Sequence, residues 1–203
     1  YWVIDPASIR KLKNGVEENE LNAVDFFIEL QDVIGITSPN LTRFIEEVYK
    51  GLYADCFIDA RGKLAADELA DATYQQVEQQ MDGHPWLIMN KGRIGFNYTD
   101  YTQYAPEAGN MVKLLWLAIS RSMATFNCMD HLSYDQLIST ELGEESVAHF
   151  NESLLLNGVQ SDNYFFMPVH EWQWNNKLIF LFANEIAEKN IIPIAYGDDS
   201  YCA

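Results

Sequence analysis

Through the first part of the chain, apolar positions recur at the three- and four-residue spacing of amphipathic helices. Asp5-Pro6 reads as an N-cap with proline in the first turn, and Asn14-Gly15 as the end of that short helix. Leu21, Val24, Phe27, Ile28 and Gln31 outline a second helix that Gly35 ends. Ser38-Pro39 opens a third, with Leu41, Ile45, Val48 and Leu52 along one face, and an Ala- and Gln-rich fourth covers residues 64–81. From Asp82 the texture changes. Residues 86–90 and 93–98 are short extended runs about Lys91-Gly92, the pattern of a hairpin. Pro106-Glu107 starts a long helix expected to run to residue 126, carrying Leu114, Leu115, Trp116 and Ile119. Ser133 with Gln136 makes a capping box, and residues 144–156 form a further helix closed by Asn157-Gly158. A buried strand over 164–169 leads into His170, followed by a helix over 174–189 and a strand over 191–195. The pattern predicts an α+β fold: a helical region over 1–81, then a mixed region over 82–203 with a small antiparallel sheet.

Composition narrows the class. The 203 residues are 48% hydrophobic and 21% charged, which is the balance of a folded domain and not of a disordered chain. Thirteen Lys and Arg stand against 30 Asp and Glu, a net charge of −17. Phosphate backbones and anionic lipid surfaces need a basic face, so the charge argues against nucleic acid and against membrane as partners. The longest apolar runs, 114–119 and 178–183, fall far short of a spanning helix. Cys56, Cys128 and Cys202 are odd in number and widely spaced, which suits a reducing cytoplasm and buried, inert thiols. The chain starts at Tyr1 without Met and stops just after Gly197-Asp198-Asp199, so it reads as a piece of a longer protein.

Against this acidity the stretch from Gly83 to Phe96 stands out. Gly83-His84-Pro85 is followed by Lys91 and by Arg93-Ile94-Gly95-Phe96. Glycines let backbone approach a ligand, Arg offers a planar fork of donors, and Lys a point charge. Each residue alone has a plain structural reading, but their coincidence points to an anion site holding phosphate or carboxylate. His170 sits at a strand-to-helix junction, a common place for binding groups. His170-Glu171-Trp172-Gln173-Trp174 lacks the second histidine of a zincin, and no metal site is expected. Glu107 is expected at a helix N-terminus, favoured there by the dipole, and His131 and His149 at the surface. No Walker loop, GxGxxG after a strand, or GxSxG elbow is present.

Gly83-His84-Pro85, Lys91-Gly92-Arg93-Ile94-Gly95-Phe96, Tyr104-Ala105-Pro106-Glu107 and Met167-Pro168-Val169-His170-Glu171-Trp172-Gln173-Trp174 occur in that order, with Gly197-Asp198-Asp199-Ser200-Tyr201 after them. Together they resemble the aerobactin-synthetase-like family (IucA/IucC type) of siderophore synthetases that work without nonribosomal peptide synthetases. The branch most similar couples hydroxamate units, as in desferrioxamine, bisucaberin and alcaligin synthetases. Residues 74–203 carry the likeness most clearly. It implies a cupped hand: residues 1–81 thumb-like, 82–203 a partial fingers domain, and the palm and a Ser-x-Arg-Thr nucleotide motif beyond this chain. It also implies ATP and Mg²⁺, adenylation of a carboxylate, and capture by an amine or hydroxylamine to give an amide or ester. Gly83, His84, Lys91, Arg93 and His170 become the ATP-side contacts, with His84 and Arg93 acting in catalysis. A homodimer of the full-length protein is implied as well, and the fragment alone is expected to be inactive. Two departures stand in the sequence: Leu87 and Ile88 replace a second His-Pro, as in the hydroxamate branch, and Glu171 replaces a proline. The competing reading is a non-catalytic assembly module whose basic cluster is structural. In a fragment, Trp172, Trp174 and 191–195 are expected to lie open and drive self-association.

Overall fold

The structure is a computed structural model that describes residues 5–18, 21–84, 87 and 89–202. The chain divides into two compact units, residues 1–97 and 98–203. The division falls beyond residue 81 because the segment 82–97 packs on the helices before it.

In the first unit the expected opening helix is a single 3₁₀ turn at Pro6–Ser8, followed by a hairpin of β1 (Lys11–Lys13) and β2 (Val16–Glu18). Asn14 and Gly15 both have positive φ, 53° and 81°, the backbone of a two-residue type I′ turn. That pair closes a hairpin and does not end a helix. Lys11 pairs with Glu18 at 2.8 Å and with Glu29 at 2.8 Å, and these carboxylates raise its pKa well above the usual lysine value. The pair with Glu29 ties the hairpin to α1 (Ala23–Ile34). Asn22 caps α1 through its side chain, and Gly35, at φ 71°, ends it as expected.

α2 (Ser38–Arg61) packs against α1 through the edge-to-face pair Phe27 and Phe44, centroids 4.9 Å apart. Its buried stripe is Val48, Gly51, Ala54 and Ile58, rotated from the expected face, with Leu52 exposed. Cys56 lies on the outer side and is exposed, as is Cys128, so the expectation of buried thiols is corrected. The expected fourth helix is broken into α3 (Ala66–Ala70) and α4 (Tyr74–Gln80). Thr73 caps the second through Gln76, a capping box that restarts the helix.

The expected hairpin about Lys91-Gly92 is absent among the described residues; Trp86 and Ile88 of it lie outside them. Residues 89–96 form tight turns, with Gly92 N–H to Met89 O and Phe96 N–H to Arg93 O, and Asn90 N–H donates to Leu87 O.

The second unit holds the sheet. After α5 (Tyr98–Tyr104) and a 3₁₀ turn at Pro106–Ala108, the expected long helix is instead β3 (Met111–Ser120). β3 is the centre of an antiparallel sheet ordered β4-β3-β5, with β4 at Tyr164–His170 and β5 at Ile191–Cys202. On one face, Trp116, Ala118, Phe166 and Ile192 pack against Ile138, Phe150 and Leu154 of α6 (Tyr134–Leu156). On the other, Leu115, Leu117, Val169 and Ile191 pack with Trp174. Both faces are covered, so β3 reads as a continuous apolar run without alternation.

Ser133 caps α6 with Gln136, as the sequence predicts, and Gly143 (φ 76°, ψ 161°) interrupts it before the stretch expected from 144. The segment after β4 turns helical three residues before the predicted start at 174 and is not one uniform helix. α7 (Glu171–Gln173) passes through a π-turn at Trp174–Leu178 into α8 (Ile179–Leu181) and α9 (Ala183–Ala187). Trp174, Ile191 and Ile192 are buried, so the expected open patch does not form; Ile179, Phe180, Leu181 and Phe182 are the exposed apolar run here. Among the described residues, no helix is long and apolar enough to cross a membrane.

Candidate functional site

The first unit carries Gly83, His84, Lys91 and Arg93 on one compact run of turns. Gly83 has φ +93°, a backbone that favours glycine, and a Cβ there would stand 1.9 Å from Asn90 Oδ1 and push that side chain aside. The Asn90 carboxamide lies over its bare Cα and donates from Nδ2 to Leu87 O at 2.8 Å and His84 O at 3.4 Å. Asn90 is therefore part of the local framework around His84, and the sequence reading passed over it. His84 is exposed and Arg93 half-buried.

Lys91 differs from a surface hairpin charge. It is only 8% exposed, and its ammonium acts on Asp55 of α2. Burial raises the Asp55 carboxyl pKa, Asp59 and Asp82 add to the rise, and Lys91 opposes it. Gly92, next along, sits on the α2 backbone: a Cβ there would meet Glu47 O at 2.4 Å. Its φ is ordinary, so the glycine serves close approach and not turn geometry. The loop is thus seated on α2 by Gly92 and Lys91, with His84 and Arg93 at its two ends.

His170 belongs to the second unit. It ends β4 opposite Leu114 of β3 and caps α7, its Nδ1 accepting the Trp172 N–H at 3.1 Å. A backbone N–H can only donate, so Nδ1 is unprotonated and the neutral ring carries its proton on Nε2. The ring packs edge-to-face on Tyr104 at 4.8 Å, and burial lowers its pKa against a smaller upward pull from Glu171. Glu171 accepts the Tyr104 hydroxyl at 3.3 Å. The residue that departs from the family's proline therefore holds Tyr104 against His170.

Glu107 lies in a first turn, as the sequence suggested, but the turn is a short 3₁₀ one and the carboxylate is buried. It is 1% exposed within a single 3₁₀ turn and accepts the Tyr101 hydroxyl at 3.0 Å. A buried carboxylate so bonded is a structural anchor beneath Tyr104 and Ala105, both buried. Helical spacing of Tyr101 and Tyr104 was the signal available for it. His131 and His149 are exposed, as expected. Among the described residues no group of three or more His, Cys, Asp or Glu side chains could hold a metal ion. A cavity of about 520 Å³ beside β4, lined by Trp116, Phe126, Tyr134, Phe165 and Met167, contains none of the candidate residues.

The chain was compared with known proteins. Residues 73–203 match the IucA / IucC family. Putrebactin synthase of Shewanella sp. (strain MR-4) is 38% identical over 199 residues, spanning 98% of this chain and 31% of that protein. The petrobactin biosynthesis protein AsbB of Bacillus anthracis str. Sterne superposes with a TM-score of 0.81 at 29% identity, covering 95% of this chain and 31% of its own. A more distant likeness, of fold alone, is to ATP-bound aerobactin synthetase IucA of a hypervirulent Klebsiella pneumoniae pathotype. Its TM-score is 0.59 at 21% identity, over 86% of this chain and 30% of its own. The chain spans about a third of the length of these relatives. The matched segment contains every candidate residue and both motif clusters, and the α+β architecture is shared: this chain belongs to the IucA / IucC family.

Proposed function

We propose that the full-length protein carrying this chain is an ATP-dependent siderophore synthetase joining a carboxylate to an amine or hydroxylamine. The observation that carries it is the seated Gly83–Phe96 loop, inside the family match, which presents His84 and Arg93 in an otherwise acidic chain. In the reaction the substrate carboxylate oxygen attacks the α-phosphorus of ATP, and the bond to the β-phosphate oxygen breaks to release pyrophosphate. The amine or hydroxylamine nitrogen then attacks the acyl carbon, loses its proton, and expels AMP to leave an amide; an ester forms only where a hydroxyl oxygen is the attacking atom. The residues here suit the phosphate end: Arg93 supplies charged N–H donors, and His84 a further donor, where negative charge builds on departing phosphate.

Lys91 has a different part. Buried against α2 near Asp55, it fixes the loop and contributes positive potential. His170, in the second unit, acts as a neutral Nε2–H donor to the nucleotide, its ring held by Tyr104. Mg²⁺ accompanies the nucleotide. The enzyme works in the cytoplasm as a homodimer, and the thumb-like region and partial fingers domain meet their palm in the remainder of the polypeptide.

The test is pyrophosphate release by the full-length protein with ATP, Mg²⁺ and succinylated hydroxyamine or citrate. Turnover should need an acyl substrate, and His84→Ala and Arg93→Ala should each lower kcat/KM by about tenfold to a hundredfold, the value of a hydrogen bond to a charged group. Unchanged turnover in both folded variants would make the basic cluster structural.

A further inference from the structure

Four observations converge on one side chain. Gly83 leaves room where any other residue would strike Asn90. The Asn90 carboxamide donates to the carbonyls of Leu87 and of His84. Those two carbonyls also close successive turns, accepting Leu87 N–H onto His84 O at 3.2 Å and Asn90 N–H onto Leu87 O at 3.1 Å. Asn90 directly precedes Lys91 and Gly92, which seat the loop on α2. The carboxamide orientation is fixed, because a flipped amide would set Oδ1 against two carbonyl oxygens.

We infer that Asn90 is a positioning residue for the anion site: its carboxamide ties the carbonyls of His84 and Leu87 to the residue before Lys91 and so holds His84 at a set distance along the loop from Arg93. This rests on the reading of His84 and Arg93 as phosphate contacts. Asn90 touches no reacting atom in this scheme. Its work is to order the loop before the anion arrives, so that binding does not have to supply that order. Loss of that tie weakens ATP binding and leaves the chemical step largely as it was, since the bound loop still reaches the same contacts.

The experiment uses the full-length protein with Asn90→Ala, which removes the carboxamide without adding charge, and Asn90→Asp, which keeps the shape but loses both donors. Two quantities are read: ATP kinetics from pyrophosphate release, and amide exchange over peptides covering 82–97. For Asn90→Ala the KM for ATP should rise about tenfold, with kcat within about threefold and the KM of the acyl acceptor unchanged. Exchange at Leu87 and Asn90, whose N–H groups close the turns, should quicken by about the same factor. Asn90→Asp should follow in both readings, and it carries the test if the alanine variant does not fold.

An unchanged KM for ATP in Asn90→Ala, while His84→Ala and Arg93→Ala still raise it, overturns the inference and leaves the phosphate reading standing. A joint fall of kcat, thermal stability and affinity for both substrates also overturns it, because that is the pattern of a general structural residue. If His84→Ala and Arg93→Ala leave ATP kinetics untouched, the phosphate reading fails and this inference with it.

Discussion

Gly92→Ala isolates one contact on which the candidate site depends. At Gly92 a methyl group would lie 2.4 Å from the carbonyl oxygen of Glu47, 2.9 Å from its Cα and 3.0 Å from its carbonyl carbon. Carbon and carbonyl oxygen ordinarily approach to about 3.3 Å, so the loop or the helix must yield by about 1 Å. The obstacle is backbone in the middle of α2, a helix of 24 residues, and cannot rotate aside. The loop therefore lifts. Lys91 is drawn away from Asp55, and Arg93, one residue beyond, moves with it. Overpacking of this kind costs about 1–3 kcal/mol, and a displacement of about 1 Å at a positioned group can cost a hundredfold in rate. The expected result is a loss of about a hundredfold in pyrophosphate release by the full-length protein, with faster amide exchange in peptides covering 42–52 and 89–96. Gly62→Ala serves as the comparison. It also carries strain, at φ +82°, but has nothing within 4 Å of its Cβ, so it should lower stability and spare activity. Full activity with unaltered exchange in Gly92→Ala would refute the claim that α2 seats this loop.

Two further outcomes test the second unit. Leu154, fully buried between α6 and the sheet, should cost about 2–5 kcal/mol when changed to alanine, whereas Leu156→Ala, 85% exposed, should stay within about 0.5 kcal/mol. Urea unfolding of the two variants decides it, and equal effects would contradict the packing described. His170 gives a pH dependence. Burial holds its folded pKa below the ordinary 6.5, so the unfolded chain binds the extra proton. Its contribution is fully present above pH 6.5, declines as pH falls through 6.5 toward the lowered value, and levels off below that. Urea midpoints at pH 7.5, 6.5 and 5.5 should fall in the parent and fall less in His170→Gln; parallel slopes would show that His170 is not the group responsible.

Local chemistry was the legible part of this fold. Ser133 with Gln136 and Asn157 announce helix ends by side chains that bond nearby backbone, Gly35 by its left-handed backbone, and the structure uses each of them. The same logic was available for Asn14-Gly15 and for Thr73 with Gln76. It was masked in the first case by the stronger Asp5-Pro6 signal and by strands of three residues, too short to show alternation. The candidate site was legible as a composition and not as a geometry. Three cationic or proton-carrying side chains within ten residues point to a candidate anion site, yet nothing local says that Lys91 turns inward to α2 while His84 faces out. That depends on Asp55, 36 positions earlier by number, and on how closely Gly92 approaches Glu47.

The segment after Pro106 shows what a periodicity argument lacks. Leu114, Leu115, Trp116, Leu117, Ala118 and Ile119 have no alternation because β3 is buried on both faces, and a short unbroken apolar run fits a buried helix as well as a central strand. The function of the neighbouring motifs separates the two. Tyr104 and His170 are far apart in sequence, each in its own motif, and a helix from 106 to 126 supplies no reason for them to meet. An antiparallel strand does. Pairing Leu114 with His170 brings the end of β4 beside the start of β3, which follows directly on the Tyr104–Glu107 turn. The Tyr104 ring then packs edge-to-face on His170, and its hydroxyl reaches Glu171. Two motifs that each look like punctuation on separate elements are one cluster, and the apolar run between them is the strand that joins them.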